Sequence, residues 1–276
     1  PAQPRLWGNG FLPGRYAGTQ FRSGKNPVLD INTPEGISKE SRRKVLDALE
    51  KLNGIESERT GDPDVETRIK AYEMAARMQT SVPEMTDLTT ESPEMLELYG
   101  VDPEKGSFAS NCMQARKLLE SGSRYVQLID GGWDMHDNVP RALPGKAKDI
   151  DKPIGALLQD LEQRGLLEDT LVVVAGEFGR TPHCQGAFNR ESYGRDHHPL
   201  ASVVLMAGGG LKRGFSYGET DEWGWDVTRN PVHIHDVQAT ALHCLGIDHE
   251  RLTYRHQGRD FRLTDVGGNV VHDILA

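Results

Sequence analysis

Ten histidines occur in this chain, and none precedes position 136. From there they fall with acids in short clusters: Trp133-Asp134-Met135-His136-Asp137-Asn138, Gly176-Glu177-Phe178-Gly179-Arg180 and Gly194-Arg195-Asp196-His197-His198-Pro199. Imidazole nitrogen and carboxylate oxygen together are the donors of a hydrolytic metal site. As borderline-hard ligands they suit zinc, manganese, iron or calcium more than a soft metal. Arg180 and Arg195 add guanidinium forks, which grip tetrahedral oxyanions bidentately and point to phosphate or sulfate esters. Simpler roles stand beside these. Asp134 and His136 can form a polar loop, Glu177 can face a helix N-terminus, His198 can stack on a neighbour, and Arg195 can pair with Asp196 or Glu191.

Elements must bring these clusters together. Residues 1–36 are rich in Gly, Pro and Arg without periodicity and read as an irregular arm. Val45, Leu46, Leu49 and Leu52 form a helical stripe ended by Asn53-Gly54. Asp62-Pro63 reads as a helix start, with Val65, Ile69, Tyr72 and Ala76 as its stripe. Residues 80–104 read as a loop with a short helix, and Ser107 to Glu120 as a helix with Gly122 just beyond. Tyr125 to Ile129 reads as a strand and 150–164 as a helix capped by Gly165. The apolar runs Leu171–Ala175 and Ser202–Ala207 read as strands buried on both faces. A helix over 235–245 follows, with Val237, Ala241, Cys244 and Leu245 inward. This order predicts an α/β domain with a mainly parallel sheet, and its ligands beyond the carboxyl ends of the strands. The three clusters fall near those ends, so one shared site is expected.

Several features are less committed. Gly208-Gly209-Gly210 lacks both GxGxxG and GxxxxGK[ST], so a tight turn is expected over a phosphate loop. Thr220-Asp221-Glu222-Trp223-Gly224-Trp225 reads either as a pocket rim of acids and indoles suited to sugars or as a packed loop. His233 and His235 precede a helix with Asp236 at its N-terminus, and alternate so that both should not face one metal. His243, His249, His256 and His272 read as structural or solvated.

Composition excludes some functions. A net charge of -9 with no basic stretch argues against nucleic acid. Three cysteines without CxxC spacing argue against a disulfide framework. No apolar run approaches ~20 residues, so no membrane span is expected. The chain opens Pro1-Ala2-Gln3-Pro4, without Met or a signal segment, as expected of a processed chain or a piece of a longer one.

The run Val173-Val174-Ala175-Gly176-Glu177-Phe178-Gly179-Arg180-Thr181-Pro182 and the motif Gly194-Arg195-Asp196-His197 resemble the domain-of-unknown-function family 1501. So do Ile234-His235-Asp236-Val237-Gln238-Ala239-Thr240 and Gly258-Arg259-Asp260-Phe261-Arg262-Leu263-Thr264-Asp265-Val266. The resemblance covers nearly the whole chain and is most specific from Asp134 onward. It implies kinship with the alkaline phosphatase and sulfatase superfamily: a three-layer α/β/α sandwich, one or two divalent metals (zinc, calcium, manganese or magnesium), and export. It puts Asp134 and His136 in the first ligand slot, Glu177-Phe178 in an Asp-His slot and His197 in the last. Phe178 cannot ligate, so one metal, or a weaker second on Glu177, is implied. Relatives carry a first strand, an acidic ligand and the nucleophile in a region ahead of this chain, so an N-terminal truncation is implied. Cys112-Met113-Gln114-Ala115-Arg116 and Cys184-Gln185-Gly186 both fail the sulfatase C/S-x-P-x-R setting.

The expectation is therefore an arm over 1–36 and one α/β domain over 37–276, helical over 37–122 and bearing sheet and site over 123–276. Its metal ligands are Asp134, His136, Glu177 and His197; Glu177, Arg180, Arg195 and His198 serve catalysis. The expected reaction is metal-dependent hydrolysis of a small-molecule or saccharide phosphate or sulfate ester. A non-catalytic glycan-binding protein and a phosphomutase-like enzyme are the alternatives.

Overall fold

Serine caps and left-handed glycines delimit the first helices of this computed structural model. It describes residues 85–276 throughout, together with 8–10, 12, 16–22, 27–28, 36–61, 65, 69, 72–74, 78 and 82–83. Helix α1 spans Lys39–Thr60, with Ser38 accepting the Ser41 N–H at its start and Gly61 at φ 62 at its end. It runs through Asn53-Gly54, the expected stop. One interior glycine costs only about 1 kcal/mol in a helix. Val65, Ile69 and Tyr72 are helical as expected; Asp62, Pro63 and Ala76, and most of the arm, lie outside the described residues.

A 3-10 turn (Leu88–Thr90) and α2 (Pro93–Tyr99) follow, the latter with Ser92 as N-cap, Pro93 in its first turn and Gly100 at φ 74 closing it. Helix α3 (Phe108–Glu120) starts at the expected Ser107, which shares a reciprocal capping box with Ser110. Helix α4 covers Val139–Gln163, starting earlier than expected, at Asn138 in the left-handed region (φ 51).

The strands are short: β1 (Val172–Ala175), β2 (Gly179–Arg180), β3 (His197–His198), β4 (Val204–Ala207), β5 (Glu219–Thr220) and β6 (Val227–Arg229). After α5 (Ile234–Cys244) come β7 (Thr253–His256), β8 (Arg259–Arg262) and a 3-10 turn at His272–Ile274.

Their pairing overturns the expected sandwich and its alkaline phosphatase-like sheet. Among the described residues the strands form four two-stranded sheets (β1 with β4, β2 with β3, β5 with β6, β7 with β8), every one antiparallel. Apolar continuity suggested buried strands, but it carries no information on direction. A parallel pair needs a crossover, usually helical. Residues 176–203 between β1 and β4 contain no helix, and the chain returns antiparallel with Val172 opposite Ala207. Alternate β1 residues are exposed, Val173 by 43%. Tyr125–Ile129 takes no strand assignment.

The chain divides into two compact units, residues 1–131 with 152–154, and residues 132–151 with 155–276. The first buries Tyr99, Val101, Cys112, Met113 and Leu118. Inside it Arg116, with a side chain only 3% exposed, meets Glu91 and Glu120 at 2.7 Å each, and Lys117 lies 3.3 Å from Glu91. Burial opposes the charge on Arg116, yet the two carboxylates outweigh it and raise its pKa. The Cys112 thiol is pushed up to about 12 by burial first and by the Asp130 charge second. The second unit buries Val139, Ala156, Leu157, Leu161, Leu167, Leu211 and Ala239. On α5, Ala239 and Thr240 are the buried residues, whereas Leu245, expected inward, is exposed. The glycine run after β4 is a tight turn, with φ of 74, 54 and 83 at Gly208, Gly209 and Gly210. A Cβ on Gly208 would lie 2.2 Å from the Thr170 carbonyl oxygen.

Candidate metal centre

The site belongs to the second unit and rests on three backbone segments. Residues 133–138 lead into α4; β2 and β3 pair with Arg180 opposite His197; and the loop between them closes through a Gln185–Gly194 bridge. Asn138 donates its N–H to Ser192 O (3.1 Å), Val139 to Tyr193 O (3.0 Å) and Arg195 to Met135 O (3.1 Å). These bonds fasten the Asp134 segment to the His197 segment. Gly194 is buried where its Cα packs on the His136 peptide: an added Cβ would lie 1.8 Å from His136 O and 2.0 Å from its carbon. Gly179 is fixed likewise, its Cβ falling 1.7 Å from Ala201 O.

On this frame Asp134, His136 and His197 present donor atoms all within 4.8 Å of one another. Asp134 Oδ1 is the hub, 2.9 Å from His136 Nε2, 2.9 Å from His197 Nε2 and 2.8 Å from Arg180 Nη1. The hydrogen bond from His197 and then that from Arg180 hold the Asp134 carboxyl down at about 2. The His136 pKa is raised, first by its hydrogen bond with Gln185 and then by the Asp134 and Asp196 charges, against partial burial and the Arg180 charge. His136 Nδ1 lies 2.7 Å from Gln185 Oε1 and 3.8 Å from Asp196 Oδ1. The Asp196 carboxylate accepts the His197 backbone N–H at 2.7 Å. Phe178, in the slot where a histidine was implied, packs its ring 4.4 Å from that of His197.

The donor set fits a divalent cation. Metal–nitrogen and metal–oxygen bonds of about 2.0–2.2 Å around a tetrahedral ion set ligand atoms roughly 3.3–3.5 Å apart. The 2.9 Å separations need to open by only a few tenths of an ångström. The Arg180 guanidinium would move off Asp134 Oδ1 as the cation arrives. A cation held by one carboxylate and two imidazoles would keep further coordination positions open.

The other expected residues divide. Glu177 is exposed and reaches the cluster only through Arg180 Nη2, at 3.5 Å. Arg180 is at the centre. Arg195 is engaged elsewhere, donating to Thr181 O at 2.6 Å with its guanidinium 5.8 Å from the Tyr193 ring. His198 is buried to 4% exposure; its Nε2 meets Trp225 O at 2.6 Å and its ring stacks at 4.6 Å on that indole. Its role in this geometry is to tie β3 to the 221–226 loop. In that loop Asp221 accepts the backbone N–H groups of Trp223, Trp225 and Asp226, and Trp223 is 72% exposed. His233 caps α5 in a reciprocal box with Asp236, and His235 lies within that helix. His249 is buried against Thr264 Oγ1 at 2.9 Å.

Gln185 and Gly194 were missed in the sequence. Gln185 carries no charge and no ligand character, and lies 49 residues from its partner His136. The only signal at Gly194 was its place directly before Arg195-Asp196-His197. Among known proteins, no curated protein and no solved structure matches this chain. A family model described as "Protein of unknown function (DUF1501)" matches residues 1–275.

Proposed function

We propose, for a chain that belongs to the DUF1501 family, a metal-dependent hydrolase of phosphate or sulfate esters whose metal is held by Asp134, His136 and His197. The observation that carries this reading is the convergence of those three donors with Arg180 at the same carboxylate oxygen. A bound divalent cation would supply Lewis acidity toward the ester and toward water. The chain's own groups do the rest. Asp134 stays ionised at every physiological pH, since its carboxyl titrates near 2. Arg180, released from Asp134, offers its N–H donors to the non-bridging oxygens of a tetrahedral anion beside the cation. Glu177, exposed and within reach of Arg180, serves as the base or as an additional ligand. Phe178 packs against the His197 ring, centroids 4.4 Å apart and tilted by 45°. The choice of ester rests on the guanidinium beside the donors and on the resemblance of the ligand slots to those of alkaline phosphatases and sulfatases.

The test is turnover of p-nitrophenyl phosphate and p-nitrophenyl sulfate with Zn²⁺, Mn²⁺, Ca²⁺ or Mg²⁺ added to chelator-treated protein. Metal-restored activity lost in His197→Ala supports the reading. Bound metal without turnover of either ester class overturns the hydrolase while sparing the site.

One observation favours a second reading, a glycan-binding protein without turnover. The Trp223 indole is presented on a loop made rigid by Asp221, and rigid exposed aromatics give contact area at low entropic cost. Glycan binding unaffected by His197→Ala, with no hydrolysis, favours this alternative.

A further inference from the structure

We propose that Gln185 is the positioning residue of the metal centre: its side-chain carbonyl takes the Nδ1 proton of His136 and so aims the Nε2 lone pair at the cation. The inference rests on the reading that Asp134, His136 and His197 hold a divalent metal.

A neutral imidazole carries one N–H, so whichever nitrogen donates leaves the other as the ligand. At His136 the nitrogen facing Gln185 Oε1 is Nδ1, at 2.7 Å. The one facing Asp134 Oδ1 is Nε2, at 2.9 Å. With the proton on Nδ1, a nitrogen lone pair and a carboxylate oxygen confront each other across that 2.9 Å. Two acceptors so close need a positive charge between them, either a second proton on the ring or a metal cation, so a cation can take the place of that proton.

The alternative partner for Nδ1 is the Asp196 carboxylate. It lies 3.8 Å away, beyond a hydrogen bond, and already accepts the His197 backbone N–H. The amide is therefore the group that sets the tautomer.

Its own position is built in twice. Gln185 N donates to Gly194 O at 2.8 Å and Gly194 N donates to Gln185 O at 2.9 Å. Gly194 in turn packs its bare Cα against the His136 peptide. The ring and the amide that orients it are thus carried on two backbones joined through Gly194. Metal-bound histidines commonly give their second N–H to a carboxylate or carbonyl, and loss of that partner costs about 10–100-fold in metal affinity. A neutral amide orients the ring without adding negative charge beside Asp134, which keeps the site receptive to an anionic substrate.

The experiment is calorimetric titration of Zn²⁺ into the chelator-treated full chain, for the wild type, Gln185→Leu and Gln185→Glu. The ¹⁵N shifts of the His136 ring are recorded in each loaded form. Expected are about a 10–100-fold loss of affinity in Gln185→Leu, restored or exceeded affinity in Gln185→Glu, and a wild-type ring protonated at Nδ1 and metallated at Nε2. If Gln185→Leu folds poorly, the ¹⁵N shifts of the wild-type His136 ring keep the test decisive. Wild-type affinity in both variants, or a ring protonated at Nε2, overturns the inference while leaving the metal site standing. Failure of the wild type to bind Zn²⁺ overturns the underlying metal reading, and this inference with it.

Discussion

Replacing Gly194 by alanine should damage the site without touching any donor. The added Cβ would lie 1.8 Å from His136 O, 2.0 Å from its carbonyl carbon and 2.5 Å from Asp137 N, all backbone atoms. Contact distances between heavy atoms are about 3.5 Å, so the Gly194 and His136 segments must separate by roughly 1.5 Å. No flexible side chain can absorb this, and Gly194 is buried. The separation would strain the Arg195-to-Met135 bond of 3.1 Å and lift Gln185 from His136. Overpacking costs about 1–3 kcal/mol, and a clash confined to backbone belongs at the top of that range. For a chain of this size ~3 kcal/mol lowers Tm by about 6–12 °C. Displacement of this order at a reacting centre weakens function about 100-fold, and a similar loss of Zn²⁺ affinity is expected. Thermal unfolding and calorimetric titration measure the two effects. Gly176→Ala is the control, since a Cβ there meets nothing nearer than Phe178 O at 3.5 Å. If Gly194→Ala melts with the wild type and binds Zn²⁺ equally well, the close approach that holds these segments is refuted.

Arg180→Ala should separate binding from chemistry. Removing the guanidinium frees Asp134 Oδ1, so Zn²⁺ affinity rises several-fold, while ester turnover falls about 100-fold or more as oxyanion stabilisation is lost; titration and steady-state kinetics read the two changes. Glu91→Gln should cost about 1.5–3 kcal/mol in urea unfolding, because it removes one of the two carboxylates on a buried guanidinium while Glu120 remains. Burial opposes ionisation of Glu91, but Arg116 and Lys117 hold its pKa below 4.5. Its stabilisation is therefore present above the unfolded pKa and lost as pH falls through the lower folded value, an acid-side slope that Glu91→Gln should flatten. At the site the sign is reversed. The His136 pKa is raised, so its contribution in the metal-free chain is full below the unfolded value near 6.5 and fades as pH rises through the folded one. Protons then compete with metal, and Zn²⁺ affinity measured from pH 8 down to 5.5 should fall steadily while Asp134 remains ionised.

The three side chains that converge were legible in the sequence because their chemistry is rare and their positions cluster: Asp134, His136 and His197 needed no fold to be singled out. Arg180 was equally legible, although its partner was not, since an arginine can serve a substrate or a carboxylate and only geometry decides. Arg195 and His198 show the limit of reading from neighbours in the chain. Both lie within two residues of His197, yet one is turned to Thr181 O and the other to Trp225 O. The helix at 108–120 announced itself through Ser107 and the glycine just beyond it, whereas of α4 only the part from 150 onward was legible, through its apolar spacing and Gly165; its start at Asn138 carries no side-chain cap to mark it. The sheet did not, because Val172–Ala175 and Val204–Ala207 carry the same apolar pattern whichever way they pair. Gln185 was invisible, its role arising from a contact across 49 residues that no local pattern encodes.

Zinc K-edge absorption of the loaded chain reads the ligands of the proposed Asp134–His136–His197 site themselves. Expected are about one Zn²⁺ per chain with two imidazoles among its N/O ligands at about 2.0–2.1 Å, and one imidazole lost in His197→Ala. A wild-type spectrum without imidazole scattering, or one unchanged by His197→Ala, would contradict that site.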